Sequence, residues 1–561
     1  MRKDSVIYKI SYSDAMTCLE QAGILVQKSL AKTACPSSDY GQIRTNSSLI
    51  QPADLFIAYG GVQSDGHHFL AKAVEQGSRF IVFEDPSYLE FLNKKARSPS
   101  FALVKNSRKA WSLLWAKACG NPEKNLKLWA VTGTNGKTST VWMACSLLRD
   151  QLKNSSQKGN SILSLGTLGT LLWRQGVAGT PECVSEPLHT TPDPDLLFPI
   201  LSSFEQDGGR YVFMEASSHS LVQEKLAPLQ FESCAFTSFS RDHLDFHKNM
   251  EDYWASKCRL FTEHLKKKGS IFFFHGLAKK LKETKLLENM PEEQNIIFYG
   301  EKKASAPEEE NPYKSLMVAE WKPDSHLSFL KFSYDGKTFE GEIPLLGDYA
   351  AENFLAAWLL VQSVSNLEPA PETWKSLPQV PGRLERVGIG DSGTHGPFLF
   401  VDFAHTPEGL EKVLTTLKNT KKPQQTLWLV FGCGGDRDRG KRPLMATIAS
   451  LLADHIIVTS DNPRWENPLD ILSEIRLGFQ KTSSSFASQV VSEIVDREEA
   501  IKFAITNAQA QDIIVIAGKG HEKDQIIAGK KVPFEDQSIA KKYLTLRQLS
   551  EPTKSQLRAP T

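Results

Sequence analysis

Apolar residues in this chain gather into short, nearly unbroken runs, separated by stretches in which they recur every three or four positions. The runs are Leu55-Tyr59, Phe80-Phe83, Leu126-Val131, Tyr211-Met214, Cys234-Phe239, Ile271-Phe274, Phe398-Phe403, Leu427-Phe431, His455-Thr459 and Asp512-Ala517. An unbroken run bounded by turn residues predicts a strand covered on both faces, the habit of parallel sheets flanked by helices. Ser139 to Gln151, with Val141, Ala144, Leu147 and Leu148 on one face, has helical spacing. The predicted fold class is α/β throughout. In open sheets of this kind ligands collect beyond the carboxyl ends of the strands, so the residues after each run matter most.

Two polar interruptions divide the pattern, Gly120 to Asn125 and the Pro-rich Glu368 to Pro381. They predict domains at 1–124, 125–379 and 380–561, in keeping with roughly three or four domains for a chain of 561 residues. With 40% apolar and 23% charged residues and a net charge of +1, the chain has no electrostatic footprint for nucleic acid or an anionic membrane. Any anion must be held by a local site. The eight cysteines form no C-x-x-C pair, and five lie in apolar surroundings suited to reduced, buried thiols. The N-terminus has no apolar signal segment and no run approaches the ~18 residues of a membrane span, so a cytoplasmic protein is expected. Glu301 to Glu310 reads as a solvated loop, and the tail after Leu549 as a frayed end.

The most informative segment is Gly133-Thr134-Asn135-Gly136-Lys137-Thr138, between a predicted strand and a predicted helix. Its glycines let backbone N–H groups turn inward, the helix N-terminus adds positive potential, Lys137 can reach outer phosphates and Thr138 can ligate Mg²⁺. The spacing G-x-x-G-K-T is shorter than that of the usual phosphate loop. The plainer reading is a Gly-rich turn before a helix.

Acid, hydroxyl and imidazole groups follow two further strands, as Glu215-Ala-Ser-Ser-His219 and Ser240-Arg-Asp-His-Leu-Asp-Phe-His247. Each alone is compatible with helix capping; together they offer hard ligands for the Mg²⁺ that a nucleotide site needs. A helix predicted from about Asn249 carries an apolar stripe of Met250, Tyr253, Trp254, Leu260 and Phe261, with Lys257 in its middle. Either Lys257 snorkels to water, or desolvation leaves it a neutral amine that CO₂ could convert into a carbamate, a metal-ligating carboxylate.

The last part of the chain repeats the theme. Pro381-Gly-Arg-Leu-Glu-Arg386, Asp402-Phe-Ala-His405, the loop Gly432 to Arg442, Asp461-Asn-Pro-Arg464 and Gly518-Lys-Gly-His-Glu522 all adjoin predicted strands, which implies a shared cleft. The basic residues of the Gly432–Arg442 loop suit either oxyanion recognition or a solvated surface.

The segments VTGTNGKTST (131–140), TTPDP (190–194), MEASSHSL (214–221), SRDHLDFH (240–247), VPGRLERV (380–387), VDFAHTPEGLE (401–411), GCGGDRDRGKRPLM (432–445), DNPR (461–464) and GKGHE (518–522) occur here in order. Over nearly its whole length the chain resembles the Mur ligase family, most closely the branch that adds diaminopimelate in bacterial peptidoglycan synthesis. The resemblance implies a UDP-binding first domain, a central ATPase domain and a Rossmann-like third domain that brings the incoming amino acid. It implies a reaction in which ATP converts the D-Glu carboxylate of UDP-N-acetylmuramoyl-L-Ala-D-Glu to an acyl phosphate, from which the amine of meso-diaminopimelate displaces phosphate.

By the same resemblance Gly133, Thr134, Asn135, Gly136, Lys137, Thr138 and Ser139 hold ATP phosphates, with Asn353, Arg383, Asp402, His405 and Lys441 also attending the nucleotide. Lys137, Glu215, His243 and Lys257 carry the catalytic assignment, and Thr138, Glu215, His243 and a carbamylated Lys257 (N6-carboxylysine) ligate Mg²⁺. Ser47, Thr190, Thr191, Ser217, Gln223 and Lys225 contact the muramoyl dipeptide. Arg437, Asp461, Asn462, Pro463, Arg464, Gly518 and Glu522 form the diaminopimelate pocket, the arginines facing carboxylates and Glu522 the distal ammonium. The expected partners are these substrates alone, bound by a monomer with no nucleic acid or membrane.

The chain departs from the family pattern at Asn46-Ser47-Ser48 in place of Asp-Ser-Arg, at Lys225 for an arginine, at Ala350 for an asparagine and at Phe403 for a tyrosine. Folylpolyglutamate synthetase, a related amide ligase, is the nearest rival, and Thr138 and the DNPR segment weigh against it. A nucleotide-binding module without turnover is the other alternative, opposed by intact Lys137, Glu215, His243 and Lys257.

Overall fold

The computed structural model describes residues 8–31, 41–61, 64–94, 99–153, 161–177, 179–187, 189–244, 246–290, 293–300, 313–324, 327–364, 367–388, 396–480 and 490–550. The predicted loop at 301–310 and the tail beyond 550 lie outside these residues. The chain forms two compact units, one of Met1–Met317 with Asn353–Ala370 and one of Val318–Glu352 with Pro371–Thr561.

The first unit contains two sheets. The smaller one has the order Leu25–Ser29, Ser100–Val104, Phe80–Phe83, Leu55–Ile57, Ile43–Arg44, parallel except for its first member. The larger is parallel from Asn295–Gly300 through Leu265–Phe274, Phe231–Phe236, Lys127–Thr132 and Tyr211–Glu215 to Ile162–Gly166, and then continues antiparallel into Gly169–Trp173 and Glu182–Ser185. Lys127–Thr132, Phe231–Phe236 and Tyr211–Glu215 are almost wholly buried, as their unbroken apolar runs require. One apolar cluster joins Trp111 and Trp115 of the first sheet's helix to Leu197, Leu201 and Phe204 against the second sheet.

The second unit has a six-stranded sheet in the order Glu385–Val387, Phe398–Asp402, Ile513–Ala517, Leu427–Phe431, His455–Val458, Val490–Glu493, parallel apart from its first strand. Asp524–Ile527 and Lys530–Pro533 make a separate hairpin.

Predicted and observed strands coincide to within a few residues, with one instructive shift. The run Cys234–Phe239 leaves the sheet after Phe236. Its last residues turn to the phosphate loop instead, where Ser238 O accepts from Thr134 N at 2.8 Å and Ser238 Oγ accepts from Asn135 N at 2.9 Å. Five of the described cysteines are buried, as expected, while Cys18 is half-buried and Cys183 exposed.

A wholly buried ion pair fixes the carboxyl ends of the second sheet. Arg497 donates to both oxygens of Asp536 at 2.8 Å, to Ser460 O at 3.2 Å and to Ala517 O at 3.1 Å. Both side chains have no exposed surface. Removing one member of such a pair strands a charge at a cost of about 3–5 kcal/mol, whereas an apolar pair of similar volume is often neutral. Asp536→Ala is therefore expected to lower unfolding stability by about that amount, and Arg497→Met/Asp536→Leu to recover most of it. Denaturant melts check this; a double variant no better than the single one contradicts it.

Candidate active site

In the first unit the strand Lys127–Thr132 delivers the phosphate loop, and the helix Lys137–Leu152 follows it directly. Gly136 sits at φ +89°, and a Cβ there would come 2.3 Å from Asn353 Oδ1, so the loop requires glycine on both counts. The helix has no side-chain N-cap, which leaves its first N–H groups to an oxyanion. Lys137 Nζ donates to Gly133 O at 2.8 Å and to Thr134 O at 2.9 Å. Ser139 lies in the helix's first turn.

Lys257 meets the same point from the opposite side. The helix Met250–Glu263, capped by Asn249 Oδ1 accepting from Asp252 N, buries Lys257 to 1% exposure. Its Nζ donates to Gly133 O at 2.9 Å and lies 4.5 Å from the centre of the Tyr253 ring. The snorkelling alternative is thereby overturned: the ammonium end points inward, to a carbonyl. Burial pushes the lysine well below its ordinary value, and the like charge of Lys137 adds to this.

Glu215 ends the strand Tyr211–Glu215 and is 1% exposed. Its carboxylate accepts from Thr138 Oγ1 at 3.1 Å, Thr167 N at 2.8 Å and Thr167 Oγ1 at 3.1 Å. A buried carboxylate next to the loop threonine is a donor set of hard oxygens, which fits Mg²⁺. His243 stands at φ +53° with its ring 5.9 Å from that of Tyr253, so it and Lys257 flank one aromatic ring. Among the described residues no three His, Cys, Asp or Glu side chains are grouped to hold an ion.

Thr191 Oγ1 bridges Glu215 O at 2.9 Å and Ser217 Oγ at 3.3 Å, and Thr190 Oγ1 accepts from Thr167 Oγ1 at 3.5 Å. These residues share the edge of the Glu215 cluster. Ser217 also caps the helix Ser218–Val222, after which comes Gln223. Lys225 is 7% exposed and pairs with Asp193 at 2.6 Å. Ser47 stands apart on the smaller sheet's loop, beside Ser48, whose Oγ accepts from Lys72 Nζ at 3.3 Å.

The second unit gathers the remaining candidates at the carboxyl ends of its strands. Asp402 accepts from Leu384 N at 2.6 Å and Ala404 N at 2.7 Å, and burial raises its carboxyl above the usual range. Arg383 lies over the Phe403 ring at 4.7 Å, and Lys441 Nζ donates to His405 O at 2.7 Å. Gly518 N donates to Asp402 O at 3.1 Å, joining two strand ends directly. Asn462 Nδ2 donates to Glu522 Oε2 at 2.8 Å, while Asp461 is 6% exposed with its Oδ1 unpartnered. Pro463 is buried, and a Cβ on Gly435 would meet its carbonyl oxygen at 2.0 Å. Arg464 Nη1 donates to Gly435 O at 2.7 Å; burial and then the like charge of Arg437 push the guanidinium below its ordinary value.

The basic loop divides in two. Arg442 is fully buried and pairs with Glu466 at 2.9 Å and Glu474 at 2.7 Å, and Arg439 pairs with the same two acids at 3.1 and 3.4 Å. These two arginines hold the loop's shape, and Arg437 remains exposed. Sequence reasoning passed over Arg497 and Thr167 and gave Arg442 no structural role, because their partners lie far along the chain; it also passed over Lys519, which sits inside a motif beside its partner Glu522.

Three family models match in chain order: the Mur ligase family, catalytic domain, over residues 39–111; the Mur ligase middle domain over 131–361; and the Mur ligase, glutamate ligase domain over 382–520. The chain belongs to the Mur ligase family of ATP-dependent amide ligases and has its three-domain α/β fold. It is similar to two curated proteins named UDP-N-acetylmuramoyl-L-alanyl-D-glutamate--2,6-diaminopimelate ligase. The one from Clostridium tetani is 34% identical, over 90% of this chain and 95% of the relative. The one from Neisseria meningitidis is 33% identical, over 93% and 98%. A solved structure of a ligase with the same name is 28% identical, covering 96% of this chain and 99% of its own, with a TM-score of 0.64.

The Arg442 hydrogen bond holds the Glu466 carboxyl at about 2, against 4.5 ordinarily. As pH falls, the unfolded chain takes up this proton before the folded one does. The stability contributed by the pair is thus complete above about pH 4.5 and lost as pH drops towards about 2. Glu466→Gln is expected to flatten the acid limb of melting temperature in that window; an unchanged limb contradicts the pairing.

Proposed function

We propose that this ligase joins meso-diaminopimelate to the D-Glu carboxylate of UDP-N-acetylmuramoyl-L-Ala-D-Glu. The observation that carries the reading is the second unit's cluster of Arg437, Arg464, Asn462, Asp461 and Glu522. Two mutually repelling guanidinium groups suit a carboxylate, and the unpartnered buried Asp461 oxygen suits an ammonium. An amino acid with a second ammonium and a second carboxylate meets both demands. The names of the similar proteins support the same substrates.

ATP supplies the phosphoryl group, since a carboxylate has no adequate leaving group. The substrate carboxylate takes the terminal phosphoryl group as ADP leaves. The diaminopimelate amine then attacks the acyl carbon, phosphate departs, and the amine's proton is lost as the amide forms. Lys137 and the N-terminal N–H groups of the helix Lys137–Leu152 counter charge on the phosphates. Thr191 and Ser217 orient the accepting substrate beside Glu215. Mg²⁺, held by Thr138, Glu215, His243 and a carbamylated Lys257, would supply further neutralisation of phosphate charge.

Lys257 fits carbamylation because its amine is buried against Lys137. Adding CO₂ to the neutral amine forms an N–C bond, releases one proton and replaces a repelled cation with a carboxylate. UDP contacts near Ser47, the boundaries at 124/125 and 379/380, monomeric state and cytoplasmic location complete the reading.

ADP release is expected to require both the UDP-linked dipeptide and meso-diaminopimelate, with L-lysine slower in a parallel assay. Equal or faster turnover with lysine refutes the amine assignment, and no turnover with any amine favours a binding module. Lys257→Ala is expected to lose activity that short carboxylates such as formate or acetate partly restore; undiminished activity in the variant removes the carbamate from the account.

A further inference from the structure

Of the segment Gly518-Lys-Gly-His-Glu522, the pocket described above uses the two ends. Between them Lys519 is fully buried and turned inward. Its Nζ donates to Glu522 Oε2 at 3.0 Å, to Asp524 O at 2.5 Å and to Asn462 Oδ1 at 3.4 Å. Two of these acceptors belong to side chains that face the proposed amine. An ammonium taken wholly out of water is costly unless it is paired and fully hydrogen-bonded, and here all three donors of the group are used.

Arg497 and Lys519 are the buried cations, and Asp536, Glu522 and Asp461 are the carboxylates beside them. Arg497 is paired with Asp536 and Lys519 with Glu522, while Asp461, with the Arg464 guanidinium also near it, keeps an Oδ1 that has no hydrogen-bond partner. Without Lys519, Asn462 and Glu522 would lose the anchor they share.

We propose that Lys519 is a positioning residue of the amine site: it fixes Asn462 and Glu522 and leaves Asp461 open to the incoming diamino acid. This rests on the reading of that pocket as the amine site. Lys519 does not touch the substrate; it acts through the two side chains it holds. Its geometry predicts an effect on amine recognition separate from the nucleotide.

The test is steady-state kinetics of the full-length protein and its Lys519→Met variant, with meso-diaminopimelate and ATP each varied. The KM for diaminopimelate is expected to rise at least about tenfold, as for loss of a charge-assisted anchor, with the KM for ATP within about twofold of wild type. An unchanged amine KM, or amine and ATP KM rising together, overturns the proposal. If Lys519→Met does not fold, Lys519→Gln, which keeps a donor, is measured the same way; loss of fold in both overturns it in favour of a purely structural lysine. Wild-type protein that uses L-lysine but not diaminopimelate refutes the substrate reading alone, and the Lys519 comparison is then made with lysine.

Discussion

Two lysine side chains converge on one backbone carbonyl, that of Gly133, and the arrangement of the nucleotide site follows from this. Lys137 reaches it from within the phosphate loop and Lys257 from the helix Met250–Glu263, at 2.8 and 2.9 Å. A carbonyl oxygen has two lone pairs and can accept both. Two ammonium groups so close in a buried setting cannot both stay charged without cost, and the more buried Lys257 is the one whose proton is loosened. The loop is held on its other side by Ser238 and Thr237, which leave their strand to bond Thr134 and Asn135. The phosphate loop is therefore clamped between two chain segments about a hundred residues downstream.

Much of this was legible in the sequence, for identifiable reasons. Strands such as Phe80–Phe83 and Leu427–Phe431 are buried on both faces, so their runs survive as uninterrupted apolar text. The phosphate loop was legible because its glycines, lysine and threonine are contiguous. Lys257 was conspicuous because a cation interrupts an apolar stripe, although only the fold distinguishes an inward carbonyl partner from a route to water. The arginines of the Gly432–Arg442 loop were misleading for the opposite reason. Arg442 and Arg439 look free in the sequence, and their partners Glu466 and Glu474 lie some thirty residues away. Lys519 was passed over inside a motif whose ends drew the attention.

The second unit shows how buried charge can be used for shape and for recognition at once. Arg497 with Asp536, and Arg442 with Glu466 and Glu474, are closed arrangements whose charges are spent on each other and on strand-end carbonyls. Such pairs add little net stability over apolar packing, but they tolerate only one geometry. That geometry sets Ser460 and Ala517 side by side, and the next residues, Asp461 and Gly518, inherit their positions. Asp461 is then held in a place where burial raises its carboxyl above the usual range, against the opposing pull of Arg497 and Lys519. The proposed amine site relies on this carboxylate, which the fold has desolvated and left open.

The departures from the family pattern leave the Gly133–Thr138 loop, Glu215, His243 and Lys257 unchanged. Ser48 lacks the guanidinium of its relatives, yet Lys72 places an ammonium at its hydroxyl. Lys225 keeps a cation paired to Asp193 but gives up a bidentate fork. Lys257 allows no such exchange. A glutamate at that place on the helix would have a side chain one bond shorter, and as an anion it would be repelled by the Gly133 carbonyl oxygen that the lysine now reaches. A lysine spans the distance as a cation or a neutral amine, and in the proposed carbamylated state the arm would be longer still and would end in a carboxylate. That reach is what the proposed change from amine to anionic ligand requires.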